Sequence, residues 1–233
     1  MSDARLKDKK WRINNLYKIR NKAGELVKFK RNRAQEHFNA HLHRLNIILK
    51  SRQLGFTTDE AIDSLDDTLF TPNTDVLLIA HNLEAGESIF TKKIAFAWEK
   101  LHPQLKVLYK VDNKTSKTLK FDFGKKGFSS IAVDTSGRSG TYRRLHVTEL
   151  ADISKKFPKK VPDIIEGTFP AVPSNGRIDV ESTSQGASGE FYEMFMPAWE
   201  WQQEHSGEPL SPYQWKAHFF NWTWDDDELE KIT

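Results

Sequence analysis

The residues best able to do chemistry stand together in Lys50-Ser51-Arg52-Gln53-Leu54-Gly55-Phe56-Thr57-Thr58. An apolar run from Leu45 to Leu49 precedes them, and Ala61, Ile62, Leu65 and Leu69 follow at helical spacing. A strand, a tight loop ending in Gly-x-Thr and then a helix make a cradle for phosphate. The first N–H groups of a helix lack partners within it, and its dipole favours an anion there. The standard phosphate loop reads G-x-x-x-x-G-K-S/T. Here Gly55 and Thr57 take the places of its last glycine and its hydroxyl residue. Ser51 or Lys50 stands for the first glycine, and Phe56 for the lysine. A nucleoside triphosphate still needs a cation on its β- and γ-phosphates. Lys50 and Arg52, at the other end of the loop, are the candidates.

A second centre is Arg144-Leu145-His146-Val147-Thr148-Glu149-Leu150. It reads as a strand that delivers an acid at its carboxyl end, the Walker B arrangement. The usual ending is Asp-Glu, in which the Asp holds the magnesium shell and the Glu orients the attacking water. Glu149 fills the second role as base or water-positioner. Thr148 fills the first only by hydrogen-bonding a magnesium-bound water, which is weaker than a carboxylate. Magnesium keeps several waters and takes few protein ligands, so the change bears on metal affinity more than on hydrolysis.

The elements that must position these groups follow in chain order. Residues 1–13 are polar and charged and read as a loosely held arm. Tyr17–Arg20 and Leu26–Phe29 flank a turn at 21–24 and predict a β-hairpin. Ala34–Asn39 predicts a helix leading to the strand at 45–49. Asp75–Ala80 is a continuous apolar run, as in a parallel strand buried on both faces. Glu84–Leu101 predicts a helix with Ile89, Phe90, Ile94, Trp98 and Leu101 in its stripe. Lys106–Val111, Thr118–Phe123 and Phe128–Val133 read as an antiparallel insertion, with turns at 112–114 and 124–127. Thr135–Thr141 is a glycine–serine loop carrying one arginine, Arg138. A helix follows around Val161–Gly167, a strand at Arg177–Thr183, then an aromatic helix from Phe191 to Glu204 interrupted by Pro197. Tyr213–Asn221 reads as a last strand before an acidic tail. Alternating strands and helices predict an α/β fold with right-handed crossovers.

Lys-Ser-Arg-Gln-Leu-Gly-Phe-Thr-Thr resembles the deviant Walker A loop of bacteriophage terminase large subunits, the ATP-driven DNA-packaging motors. Other stretches resemble the same family. Phe29, Asn32 and Gln35 match the spacing of an adenine-holding segment, and a Gln amide can pair with both donor and acceptor of the adenine edge. His81-Asn82-x-Glu84 resembles the segment after the second strand. Arg138 lies in the loop before the Walker B strand and is by resemblance an arginine finger. Some relatives carry Ser or Thr before the catalytic Glu, as Thr148 does. Glu181-Ser182-Thr183, followed by Gly186 and Gly189, resembles the coupling motif, which places Ser182 and Thr183 near the γ-phosphate. The resemblance spans roughly residues 29–192. It implies a RecA-like (ASCE-type) P-loop NTPase with a central, mostly parallel sheet flanked by helices, plus antiparallel additions.

It also implies ATP and Mg2+ as cofactors, with Thr57 and Thr148 at the metal. The implied catalytic groups are Glu149, Arg52 and Arg138. The implied partners are double-stranded DNA, the small terminase subunit, the portal protein and further copies in a ring, with the host cytoplasm as location. Residues 34–223 are then the ATPase domain, 1–33 a basic arm and hairpin, and 224–233 an acidic tail. The family's nuclease domain does not fit in this length. Two other readings stay open: a non-hydrolysing nucleotide- and DNA-binding scaffold, and a helicase-like translocase.

Composition sets the outer bounds. The chain has 233 residues, 38% hydrophobic and 29% charged, with net charge +3 and no cysteine. That excludes disulfides and thiolate metal sites and predicts a globular fold. No apolar run approaches a membrane span, so a soluble intracellular protein is expected. Cations crowd the first 33 residues, from Lys7 to Arg33, which suits a polyanion. A lysine cluster at 155–160 is a further candidate for DNA phosphates.

Overall fold

The structure is a computed structural model and describes residues 3–137 and 140–225. It opens with α1 (Asp3–Lys7) and α2 (Lys9–Leu16). Where the sequence predicts a loose arm, Asp8 caps α2 by accepting the Trp11 N–H, and Ile13, Leu16 and Tyr17 are buried. The hairpin follows as expected, β1 (Lys18–Arg20) antiparallel to β2 (Leu26–Lys28). Next come α3 (Arg33–Ala40), β3 (Leu45–Lys50), α4 (Phe56–Phe70) and β4 (Asp75–Ile79). The predicted 84–101 helix is α5 (Leu83–Ile89), a π-helical segment (Phe90–Ala95) and α6 (Phe96–Glu99) in unbroken succession.

The next prediction needs correction. The predicted strand at 106–111 begins instead as a helix, α7 (Pro103–Lys106), with His102 as cap and Pro103 in its first turn. Proline suits that position because its missing N–H would have no helical partner there. The strand comes later, β5 (Lys110–Lys114), and runs through the predicted turn. Then follow β6 (Thr118–Asp122), β7 (Phe128–Asp134), β8 (Arg144–Thr148), α8 (Leu150–Lys156), β9 (Arg177–Ser182), α9 (Glu190–Glu204) and β10 (Trp215–Phe220). Pro197 does not interrupt α9. A mid-helix proline removes one hydrogen bond and crowds the carbonyl four residues back. Burial of Phe191 and Phe195 against the sheet side holds the helix through it.

Eight strands form one sheet in the order β10-β3-β9-β8-β4-β7-β6-β5. All pairs from β10 to β7 are parallel, and β6 and β5 add on antiparallel. The loop strand β3 is thus separated from the acid strand β8 by β9. Helices cover both faces. α8 and α9 pack with Ile47, Leu77, Leu145, Val147, Ile178 and Val180. On the other face, α4 and α5 pack with Val76, Leu78, Ile131 and Val133. Among the described residues no helix is long and apolar enough to cross a membrane.

Between α4 and the sheet the interior is charged. β8 and β9 alternate, turning Arg144, His146, Thr148, Arg177, Asp179 and Glu181 away from the face covered by α8 and α9. All six side chains are buried or nearly so. α4 meets them with Glu60 and Asp63, both buried. Arg144 binds Glu60 and Asp63, and Arg177 binds Asp63 at 3.2 Å and Asp179 at 2.7 Å. The remaining acids of α4 are met by cations from the first 31 residues. Arg12 binds Asp66 at 2.6 Å, Arg31 binds Asp59 and Asp63 at 2.6 Å each, and Lys9 binds Asp67 at 2.6 Å. Arg12 and Arg31, expected to face a polyanion, instead complete the interior, and Lys9 sits part-exposed at its margin.

Candidate functional site

β3 stops where the Ser51 N–H donates to the Phe220 carbonyl at 2.8 Å. The chain then turns through Gln53 and Gly55, whose φ angles are 67° and 75°. Gly55 is required twice over. Its backbone is left-handed, and a Cβ there would lie 2.7 Å from Gln35 Nε2. That amide donates to the Gly55 carbonyl at 3.0 Å, while Gln35 Oε1 accepts the Asn32 N–H at 3.0 Å. Asn32 Nδ2 donates to the Leu54 carbonyl at 3.1 Å. Asn32 and Gln35, expected at adenine, therefore grip the loop's own backbone here. Phe29, expected with them, is buried in the core beside α4.

Phe56, in the place of the standard lysine, points into the core. It is 1% exposed and packs on Phe38 and Phe220, with ring centroids 5.7 and 4.8 Å away. Leu54 is buried in the same cluster. The loop is thus anchored by two apolar side chains and lacks a cation at that point. Arg52 is exposed. Thr57 and Thr58 begin α4, whose first turn has no side-chain cap. Thr58 Oγ1 accepts from Lys93 Nζ at 2.5 Å.

Lys50 reaches across the strand ends. Its Nζ lies 3.1 Å from Glu149 Oε1 and 3.8 Å from Glu181 Oε2. Burial favours the neutral amine, but Glu181 and Glu149 outweigh it and raise the Lys50 pKa above its ordinary value. Glu149 itself is left-handed, with φ 56°. A non-glycine residue held so costs about 1–2 kcal/mol, and such strain gathers at functional sites. The hold is visible: Glu149 Oε2 accepts the Thr183 N–H at 3.1 Å, the Thr183 hydroxyl at 3.2 Å and the Ser182 hydroxyl at 3.4 Å. Lys50, Glu149, Ser182 and Thr183 therefore meet. Arg138 lies outside the described residues, as do the acids of the tail beyond Asp225.

Glu181 was not singled out from the sequence, yet it sits at the centre. It is 0% exposed. Its Oε1 accepts from Thr57 Oγ1 at 2.5 Å and Thr148 Oγ1 at 3.0 Å, and His146 Nε2 is 3.4 Å away. Its Oε2 makes no hydrogen bond among the described residues. Burial raises a carboxyl pKa, but Lys50, His146 and Thr57 more than reverse this and bring Glu181 down to about 2. The signal in the sequence was the period of two in Arg177, Asp179 and Glu181. Lys93 was missed as well; it approaches from the π-helical segment after β4, where burial lowers its pKa.

The resemblance of the loop from Lys50 to Thr58 to a phosphate loop implies magnesium, and the oxygens present suit it. Glu181 offers a buried carboxylate with one oxygen lacking a hydrogen bond, and Thr57 and Thr148 turn hydroxyls to the same spot. Magnesium takes hard oxygen ligands, commonly one or two carboxylates together with substrate phosphates and water. Among the described residues no group of three or more histidine or acidic side chains is arranged to hold a metal unaided.

No protein-family model and no curated protein matches the sequence. Among solved structures, the chain is similar to the large terminase ATPase domain of Thermus phage P74-26. The TM-score is 0.61 at 16% identity, over 87% of this chain and 86% of that one. It is also similar to the large terminase of another phage, described as a thermophilic bacteriophage, with TM-score 0.51 and 12% identity over 82% of this chain. That second match covers 44% of the terminase it is made to. At these identities the likeness is one of fold: a RecA-like, mostly parallel sheet flanked by helices.

Proposed function

We propose that the chain is the ATPase motor domain of a large terminase, hydrolysing ATP to drive double-stranded DNA into a viral capsid. The observation that carries this is the 3.1 Å approach of Lys50 on the phosphate loop to Glu149 on the acid strand, with Glu149 fixed by Ser182 and Thr183. In this reading the loop from Lys50 to Thr58 cradles the triphosphate through its amides. Lys50 exchanges its carboxylate contact for the β- and γ-phosphates, with Arg52 beside it. That exchange releases Glu149 Oε1 to align the attacking water. Magnesium, when bound, neutralises charge on the phosphate oxygens. Thr57 and Thr148 turn their hydroxyls to its shell. Ser182 and Thr183 sense the γ-phosphate through the same carboxylate they hold. Arg138 completes the site of a neighbouring copy in a ring, and the portal protein and small terminase subunit are its partners on the capsid.

The test is release of inorganic phosphate from ATP by the purified chain, with and without double-stranded DNA. Wild type turns over, and Glu149→Ala binds nucleotide without turnover. Equal rates in the two proteins would refute the assignment. Nucleotide binding with no turnover in wild type would favour the scaffold reading.

A further inference from the structure

We propose that Glu181, one strand over, supplies the magnesium-shell carboxylate that the standard arrangement puts at position 148. The proposal rests on reading loop 50–58 as a nucleotide site, and it names the acid that such a site otherwise lacks. β8 and β9 are parallel, with Thr148 in register with Glu181. In-register residues of neighbouring strands stand side by side on one face, their backbones about 4.8 Å apart. A glutamate is one methylene longer than an aspartate. From β9 it brings Oε1 to 3.0 Å from the Thr148 hydroxyl, into the space an aspartate at 148 would fill.

Two further observations point to a ligand. Thr57, the loop hydroxyl that a magnesium ion requires, donates to the same Oε1 at 2.5 Å, so the loop oxygen and the acid already share one point. Glu181 also differs from the other buried acids of the chain. Asp59, Glu60, Asp63, Asp66 and Asp179 each have an arginine partner. Among the described residues Glu181 has none, and its Oε2 is buried without a hydrogen bond. Lys50, 3.8 Å from Oε2, helps keep the carboxylate ionised, but that oxygen still has no close donor among the described residues. Glu181 and Thr57 would hold a magnesium ion here, whose charge would satisfy that oxygen. Thr148 then serves as a positioning residue whose hydroxyl aims the carboxylate.

The experiment is a fluorescence titration with N-methylanthraniloyl-ADP, with and without Mg2+, on folded proteins verified by circular dichroism. ADP separates metal binding from turnover. Wild type is expected to bind at least about tenfold more tightly with Mg2+. In Glu181→Gln that gain falls below about twofold, and in Glu181→Gln/Thr148→Asp it returns, because the acid is restored on the neighbouring strand. An undiminished gain in Glu181→Gln overturns the proposal while leaving the nucleotide site intact. Wild type that binds no nucleotide overturns the site itself. If Glu181→Gln does not fold, Glu181→Asp is read the same way. It keeps the charge that Lys50 faces but withdraws the carboxylate by one methylene, so the gain falls at least about threefold; an unchanged gain again overturns the assignment.

Discussion

The guanidinium of Arg144, at the start of β8, hydrogen-bonds the carboxylate of Glu60 in the second turn of α4, with the two side chains 3% and 1% exposed. The same guanidinium holds Asp63 and, at 3.0 Å, Asp67. The helix that opens in the loop from Lys50 to Thr58 is thereby tied to the strand that leads into Glu149.

Arg144→Met should therefore destabilise the fold by about 3–5 kcal/mol, because it leaves buried Glu60 with Arg177 at 3.8 Å as its nearest cation, while Asp63 keeps Arg31 and Arg177. Thermal melts should show a drop of roughly 10 °C or more. Adding Glu60→Gln to the variant should recover part of the loss. A drop of under about 1 kcal/mol would mean that the ion layer contributes little.

Glu149 offers a test of backbone strain. Glu149→Ala and Glu149→Gly remove the same carboxylate, so the difference between them reports the left-handed backbone. The glycine variant should be the more stable by about 1 kcal/mol in urea, the reverse of the order within a helix. Equal stabilities, or a more stable alanine variant, would show that this backbone is not strained.

Lys50 and Phe56 should separate cleanly. Phe56→Ala empties a buried aromatic cluster and should cost about 3–5 kcal/mol of stability, while its folded fraction keeps ADP affinity within about threefold. Lys50→Met should weaken ADP affinity at least about tenfold. The opposite pattern would move the phosphate cation away from Lys50.

His218, on β10, supplies a pH dependence. It is buried against Phe38, with Nε2 3.1 Å from Asn46 Oδ1, and burial pushes its pKa down to about 3. In the unfolded chain the ring takes its proton near 6.5. Between these values the unfolded state binds more protons, so stability falls as pH falls, by up to ~1.4 kcal/mol per pH unit. Wild type should lose about 2 kcal/mol relative to His218→Phe between pH 7 and pH 5 in chemical denaturation. A constant gap between the two proteins would contradict a neutral buried ring.

The sequence is most legible where hydrophobic period decides the element. The β3–α4 unit, β4, β8 and β9 fall within a residue or two of the expected limits, because apolar runs and turn signals bound them. α2 was hidden because its partners are acids on α4 some fifty residues away, and no local pattern carries that pairing. β5 was misplaced because the helix begun at Pro103 ends only at Lys106 and a turn follows over 107–109, so the start of an apolar run that suits a strand is used otherwise. In the site, Lys50 and Glu149 could be named from the loop and strand patterns, and Ser182 and Thr183 from the resemblance to the terminase coupling motif. Glu181 could not, because its role depends on which strand lies next to β8. The arrangement of Gln35 also needed coordinates: it faces the loop carbonyls, a contact that spacing alone does not separate from one to a base.

At the far end of the sheet, β5 exposes every residue, and its pairing with β6 slips at Val111 and Asn113. Lys110 and Lys114 stand along this margin, held by Asp122 at 2.8 Å and Glu99 at 2.6 Å. A kinked margin studded with ammonium groups is a poor template for a foreign strand. Copies of the chain crowded together are thus discouraged from zipping into a continuous ribbon there, and a purified sample should resist fibre growth from that side.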